Sequence, residues 1–255
     1  MGEIVDLVAK VKKYYKPTPL EIRNFFIIVF VLAFIISMNE WGPGQEFQLM
    51  YGLFNFLISV IIVAISFFFY HSVQRIVGLN LGYKVEYQLW SFGIYFALII
   101  AFLTTAIGKT IWVFIPGGIL IHFMAKHRIG FFRYGLNYFG LGTIAFTGPL
   151  ASIILVIILK SFAPLIPSFI LTKAINFNLA FAVWQAIPIP PLDGSKLFFG
   201  SRMVYALGFT TIVAAAILLY INIPVWIAVI GSILIGVICW FLYYILLERS
   251  LWKGG

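Results

Sequence analysis

Cysteine, histidine and charge are all scarce in this chain. It has one cysteine in 255 residues, Cys239, so no disulfide can close within one chain and a cysteine-built metal site is excluded. Charged residues make up only 10%, with 8 acids, and there are 3 histidines. A soluble domain of this size cannot cover itself with so little charge. With 63% hydrophobic residues, the composition is that of a polytopic membrane protein. The net charge of +9 does not imply nucleic acid, because lysines and arginines in cytoplasmic loops account for it. The first 23 residues are polar and basic and lack the short apolar core and cleavage site of a cleavable signal. No stretch is long enough to link two folded domains, and neither an internal repeat nor a low-complexity tract is present.

Apolar runs are abundant. A helix needs roughly 20 apolar residues to cross the hydrocarbon core. Candidate spans are 24–38, 47–70, 91–108, 139–159, 174–192, 203–221 and 225–247, which gives an all-α polytopic membrane protein of six to seven transmembrane helices. The run 110–124, "TIWVFIPGGILIHFM", is broken by Pro116-Gly117-Gly118. It reads as two arms around a tight turn, sunk in the membrane as a hairpin. With the N-terminus in the cytoplasm, all but Lys109, Lys160 and Lys173 of the 17 basic residues fall inside. Loop 39–46, "NEWGPGQE", then faces outward with two acids and no base. The expected arrangement is a multi-pass protein of the cell membrane with both termini cytoplasmic. It has an N-terminal segment 1–23, one transmembrane domain 24–247 and a tail 248–255. Ile4, Leu7, Val8 and Val11 share a face, so the N-terminal segment is either an amphipathic helix lying on the membrane or a plain basic anchor.

An ionisable residue at membrane depth is costly and therefore marks function. His71, Arg75, His122 and Asp193 qualify, with Gln185 as a polar companion. His127 lies in the basic loop "AKHRIGFFR" and reads as a headgroup-facing residue. Asp193 follows Pro188, Pro190 and Pro191, which break the preceding helix. Asp-Gly by itself is a common turn at a helix boundary.

Four stretches, taken in order, resemble the site-2 protease family of intramembrane zinc metalloproteases, with a layout most similar to archaeal members. They are "HSVQRIVGLNLGYKVEYQLWSFG" (71–93), "VFIPGGILI" (113–121), "FTGPLASIILVIIL" (146–159) and "WQAIPIPPLDGSKLF" (184–198). The resemblance implies a His-Glu-x-x-His helix: two histidines one turn apart hold zinc, and the glutamate serves as general base. A distant aspartate is the third ligand, with an asparagine eight residues before it near the reacting centre.

This chain departs from that pattern. His71 fits the first histidine, but Ser72 stands at the glutamate and Arg75 at the second histidine. Gln185 stands at the asparagine, and Asp193 fits the third ligand. Arginine stays protonated and cannot ligate. Two ligands are too few for zinc, and serine is a poor base. Serine catalysis is no easier, since His71 and its neighbour Ser72 leave different faces of a helix. Neither a metal nor another cofactor is expected, and zinc enters only if the site works as in the family. Charge balance suggests a buried ion pair in which Arg75 reaches into the vacated metal site and meets Asp193; the plainer alternative is that both groups reach the headgroups. His122 reads as a packed or interfacial histidine.

The family's hairpin is thought to guide substrate by strand pairing. The expected client-binding edge is 110–116, with Thr110, Trp112, Phe114 and Pro116. Gly148 and Ala151 admit a close helix neighbour, most simply one in the same bundle. The leading reading is a non-catalytic pseudoprotease whose partners are the bilayer and the transmembrane helix of a client or partner subunit. The alternatives are an active metalloprotease with altered zinc ligands and a small transporter or channel.

Overall fold

The computed structural model describes residues 2–42, 46–124, 137–221 and 223–249, with side chains from residue 5 onward. His127 lies outside them. The chain forms two compact units, Met1–Gly135 and Leu136–Gly255. The described residues are mostly helical, as the apolar runs require, and the chain is an all-α polytopic membrane protein. Five of the described helices are long and apolar enough to cross a membrane.

In the first unit, α1 (Gly2–Tyr14) leads through a short link to α2 (Pro19–Ser37). The start of α2 is written in the sequence. Thr18 caps the helix, Pro19 occupies its first position, and Glu21 reaches back to the Thr18 amide, closing a capping box. Helix α3 (Leu49–Asn80) has 32 residues and runs for about 48 Å, well beyond the hydrocarbon thickness. Gly82 then turns the chain into strand β1 (Tyr83–Leu89), which pairs antiparallel with β2 (Gly117–Phe123) across helix α4 (Ser91–Ala106). Buried Ile28, Leu32 and Ile36 of α2, Val63 and Phe67 of α3, and Ala97 and Ala101 of α4 supply the core.

The hairpin differs from expectation. Residues 110–116 are not a strand, and Pro116-Gly117-Gly118 is not the turn between two arms. The strand begins at Gly117, and its partner is β1, with Leu89 opposite Gly117 and Tyr83 opposite Phe123. Strand β1 was legible as an alternation: Tyr83, Val85, Tyr87 and Leu89 are apolar, while Lys84, Glu86 and Gln88 are polar. The expected edge residues are spent elsewhere. Phe114 and Pro116 are buried, and the Thr110 hydroxyl bonds that of Thr105 at 2.6 Å. Lys84 beside Glu86, at 2.6 Å, holds that carboxyl below its usual value, and burial opposes the effect. His122, far from packed, is half exposed with Nε2 3.7 Å from Glu86.

Gly117 has φ +142°, and a Cβ there would stand 2.1 Å from the Gln88 carbonyl oxygen. Gly117→Ala is therefore expected to destabilise the first unit by about 1–3 kcal/mol from backbone strain alone. Thermal unfolding in detergent reads the change, and a melting curve identical to the parent's contradicts it.

The second unit contains α5 (Tyr138–Ser161), α6 (Ser168–Ala186), α7 (Asp193–Gly200), α8 (Arg202–Tyr220) and α9 (Val225–Tyr243), the last continued by a wide turn to Glu248. Its core gathers Ile153 and Val156 of α5, Leu179 and Ala182 of α6, and Ile212, Ala215 and Leu219 of α8. Gly148 and Ala151 are buried in α5. Helix α6 ends at Ala186, earlier than the expected span, because Pro188, Pro190 and Pro191 hold 187–192 out of helix.

Candidate functional site

His71, Ser72 and Arg75 lie in the last third of α3, where it runs beside the start of α2. They line a cavity of about 250 Å3 with Tyr15, Glu21 and a set of aromatic side chains. The charge at its centre is an ion pair. Glu21 accepts from the Arg75 guanidinium through Oε1. The same oxygen accepts from the Tyr87 amide at 3.0 Å, and Oε2 accepts from the Thr18 amide at 2.8 Å. A second nitrogen of Arg75 donates to the Tyr15 carbonyl at 3.0 Å, and the guanidinium lies over the Tyr15 ring. The Tyr15 and Ser72 hydroxyls are hydrogen-bonded at 2.8 Å. The link between α1 and α2 is thus tied to the α3 positions that the family motif would use.

This corrects the charge assignment. Arg75 is neutralised by Glu21 of its own unit, a residue that the charge-balance argument overlooked. Glu21 sits in a Thr-x-x-Glu capping signature, and that signal was available in the sequence. The sequence reading also missed Tyr15 and Tyr87, which no motif marks.

His71 is enclosed by rings: Phe67 at 4.3 Å, Tyr87 at 4.4 Å and Tyr70 at 5.0 Å between centroids. Its Nε2 is buried without a hydrogen-bond partner. These residues do not fit a zinc ion. The lining holds one imidazole and one carboxylate, and that carboxylate is taken by Arg75, which stays protonated and cannot ligate. Among the described residues, no three histidine, cysteine, aspartate or glutamate side chains gather closely enough to hold a metal. Among the described residues, the Ser72 hydroxyl has a tyrosine hydroxyl, that of Tyr15, as its hydrogen-bond partner and no base.

In the second unit, Gln185 is buried near the end of α6 and Asp193 opens α7, also buried. An acid at that position favours the helix dipole. Lys196, one turn on, places its ammonium 3.9 Å from Asp193 and 3.0 Å from the Pro191 carbonyl. Burial pushes the Lys196 ammonium below its usual value, and Asp193 pulls it back up. Asp193 therefore has a counter-charge within its own helix. Gly194 explains the Asp-Gly pair: a Cβ there would stand 2.1 Å from the Ala186 carbonyl oxygen, so only glycine lets α7 pack on the end of α6.

No family model matches the chain, and no solved structure matches it. Over 193 residues, covering 73% of this chain and 87% of the relative, it is 26% identical to a Methanocaldococcus jannaschii protein named "Putative zinc metalloprotease MJ0611". The chain is similar to a protein that bears a metalloprotease name, while its own α3 carries Ser72 and Arg75 beside His71.

Proposed function

We propose that this protein is a metalloprotease-like membrane protein that has exchanged metal chemistry for binding, and that it holds the transmembrane segment of a client or partner subunit. One observation carries the reading. At the position of the motif's second histidine, Arg75 is fixed by Glu21 and the Tyr15 carbonyl, so a neutral ion pair lines the cavity there. The chain crosses the cell membrane several times, with residues 24–247 acting as one transmembrane domain and both termini in the cytoplasm. The excess of basic residues on that side supports this orientation.

Client pairing falls on β2. The Tyr87 amide of β1 is taken by Glu21, so that outer edge is occupied there. Hydrogen bonds Met124 to Gly82 and Trp90 to Pro116 set the alternation of the ladder, which turns the backbone groups of Ile121 and Phe123 outward. An unwound client segment adds there as a third strand.

A photoreactive residue at Phe123, which is 40% exposed, is expected to crosslink a transmembrane protein in cells, with no cleavage product. The relative's name favours a second reading, a working metalloprotease. A cleaved transmembrane substrate whose product disappears in His71→Ala would establish that reading and sink the first.

A further inference from the structure

The cavity beside Arg75 has features that the ion pair does not use. Its mouth is formed by Ile22 and Phe26 of α2 and Phe68 of α3, which are 45%, 54% and 61% exposed. These residues lie on the outer faces of two helices that are long and apolar enough to span a membrane. A mouth on such a face opens onto lipid. Phe25 and Phe67, with ring centroids 5.7 Å apart, wall the interior, and the unpartnered Nε2 of His71 is buried in the lining.

The cavity also has a direction. Helix α2 starts at Pro19, so Glu21 and Arg75 lie near the headgroup level, and Phe25 and Phe26 lie one turn deeper. Two exposed cations are chain neighbours of the residues that line the shallow end. Lys16 precedes the lining residue Pro17, and Arg23 shares a helix face with Phe26 three residues on.

We propose that this cavity binds one anionic phospholipid. An acyl chain lies among the phenylalanines. The phosphate meets Lys16 and Arg23 at the headgroup level, where basic residues attract anionic lipid. His71, as the Nε2–H tautomer, donates to an ester carbonyl, so that Nε2 gains the partner it lacks; a buried polar atom without one is costly. The Arg75–Glu21 pair is already neutral and does not compete for the phosphate. The proposal does not depend on client binding.

The test uses the full chain in detergent, titrated with phosphatidylglycerol or phosphatidylcholine of matched chains, with binding read by native mass spectrometry. One saturable phosphatidylglycerol is expected, bound roughly tenfold tighter than phosphatidylcholine, about what one or two basic residues beside a headgroup supply. Lys16→Gln with Arg23→Gln, both at exposed positions, is expected to abolish that preference. Ile22→Trp, which fills the mouth, is expected to weaken both lipids. Equal affinity for the two lipids in the parent overturns the proposal. So does binding that Ile22→Trp leaves unchanged. Absence of any saturable lipid also overturns it and leaves the cavity to another occupant, such as a client side chain.

Discussion

Glu21→Gln is expected to destabilise the first unit by about 3–5 kcal/mol, the cost of leaving a buried charge without its partner. The Glu21 side chain is 6% exposed and that of Arg75 14%, so water does little to screen the loss. Glutamine keeps the shape but only one acceptor oxygen, and the amides of Thr18 and Tyr87 bond different oxygens, so one of them loses its acceptor as the charge disappears. Arg75→Leu has the mirror effect and leaves the carboxylate to two backbone amides. The double variant Glu21→Leu with Arg75→Leu is expected to be milder than either single change, because an apolar pair carries no desolvation penalty. Thermal unfolding of the parent, Glu21→Leu, Arg75→Leu and the double variant in one detergent gives the coupling. Single variants as stable as the parent are incompatible with a buried pair.

Gly194→Ala is the second large effect, expected at about 3 kcal/mol, the upper end of what overpacking costs. The added methyl would meet the Ala186 carbonyl carbon at 2.3 Å and its oxygen at 2.1 Å, and the Ile187 oxygen at 2.6 Å. Backbone atoms cannot rotate out of the way as a side chain does. Asp193→Asn, which changes charge but not shape, is expected to cost less. That ranking separates an Asp-Gly pair kept for packing from one kept for a metal ligand. If the asparagine variant proves the more damaging by unfolding temperature, Asp193 carries more than the start of α7.

The apolar runs revealed the helices because a membrane span needs a long uninterrupted stretch, and their bounds agree with the observed helices within a few residues at most ends. The largest errors were α3, which runs ten residues past its expected end at 70, and α6, where the proline cluster ends the helix before the hydrophobicity does. The two-stranded sheet was harder to see. The alternation in 83–89 is present, but it lies inside the stretch 71–93 that resembles the family, and β2 follows a Pro-Gly-Gly that looks like a turn. The site was legible in its parts and misassigned in its pairing. Charge balance correctly required a counter-ion for Arg75. It points to Asp193 because Glu21 lies within the polar N-terminal segment 1–23. A capping box is a local signal, and the contact between residues 21 and 75 depends on how α2 and α3 pack. Sequence spacing does not encode that packing. Asp193, too, has a nearer cation in Lys196.

The central claim is that the α3 motif position holds an ion pair where the family would hold a metal. The most direct test is zinc per chain, by elemental analysis of protein purified without chelator, with His71→Ala as control. The account predicts a content near zero, the same in both proteins. About one zinc per chain, lost when His71 is changed, would contradict it and favour a working metal site.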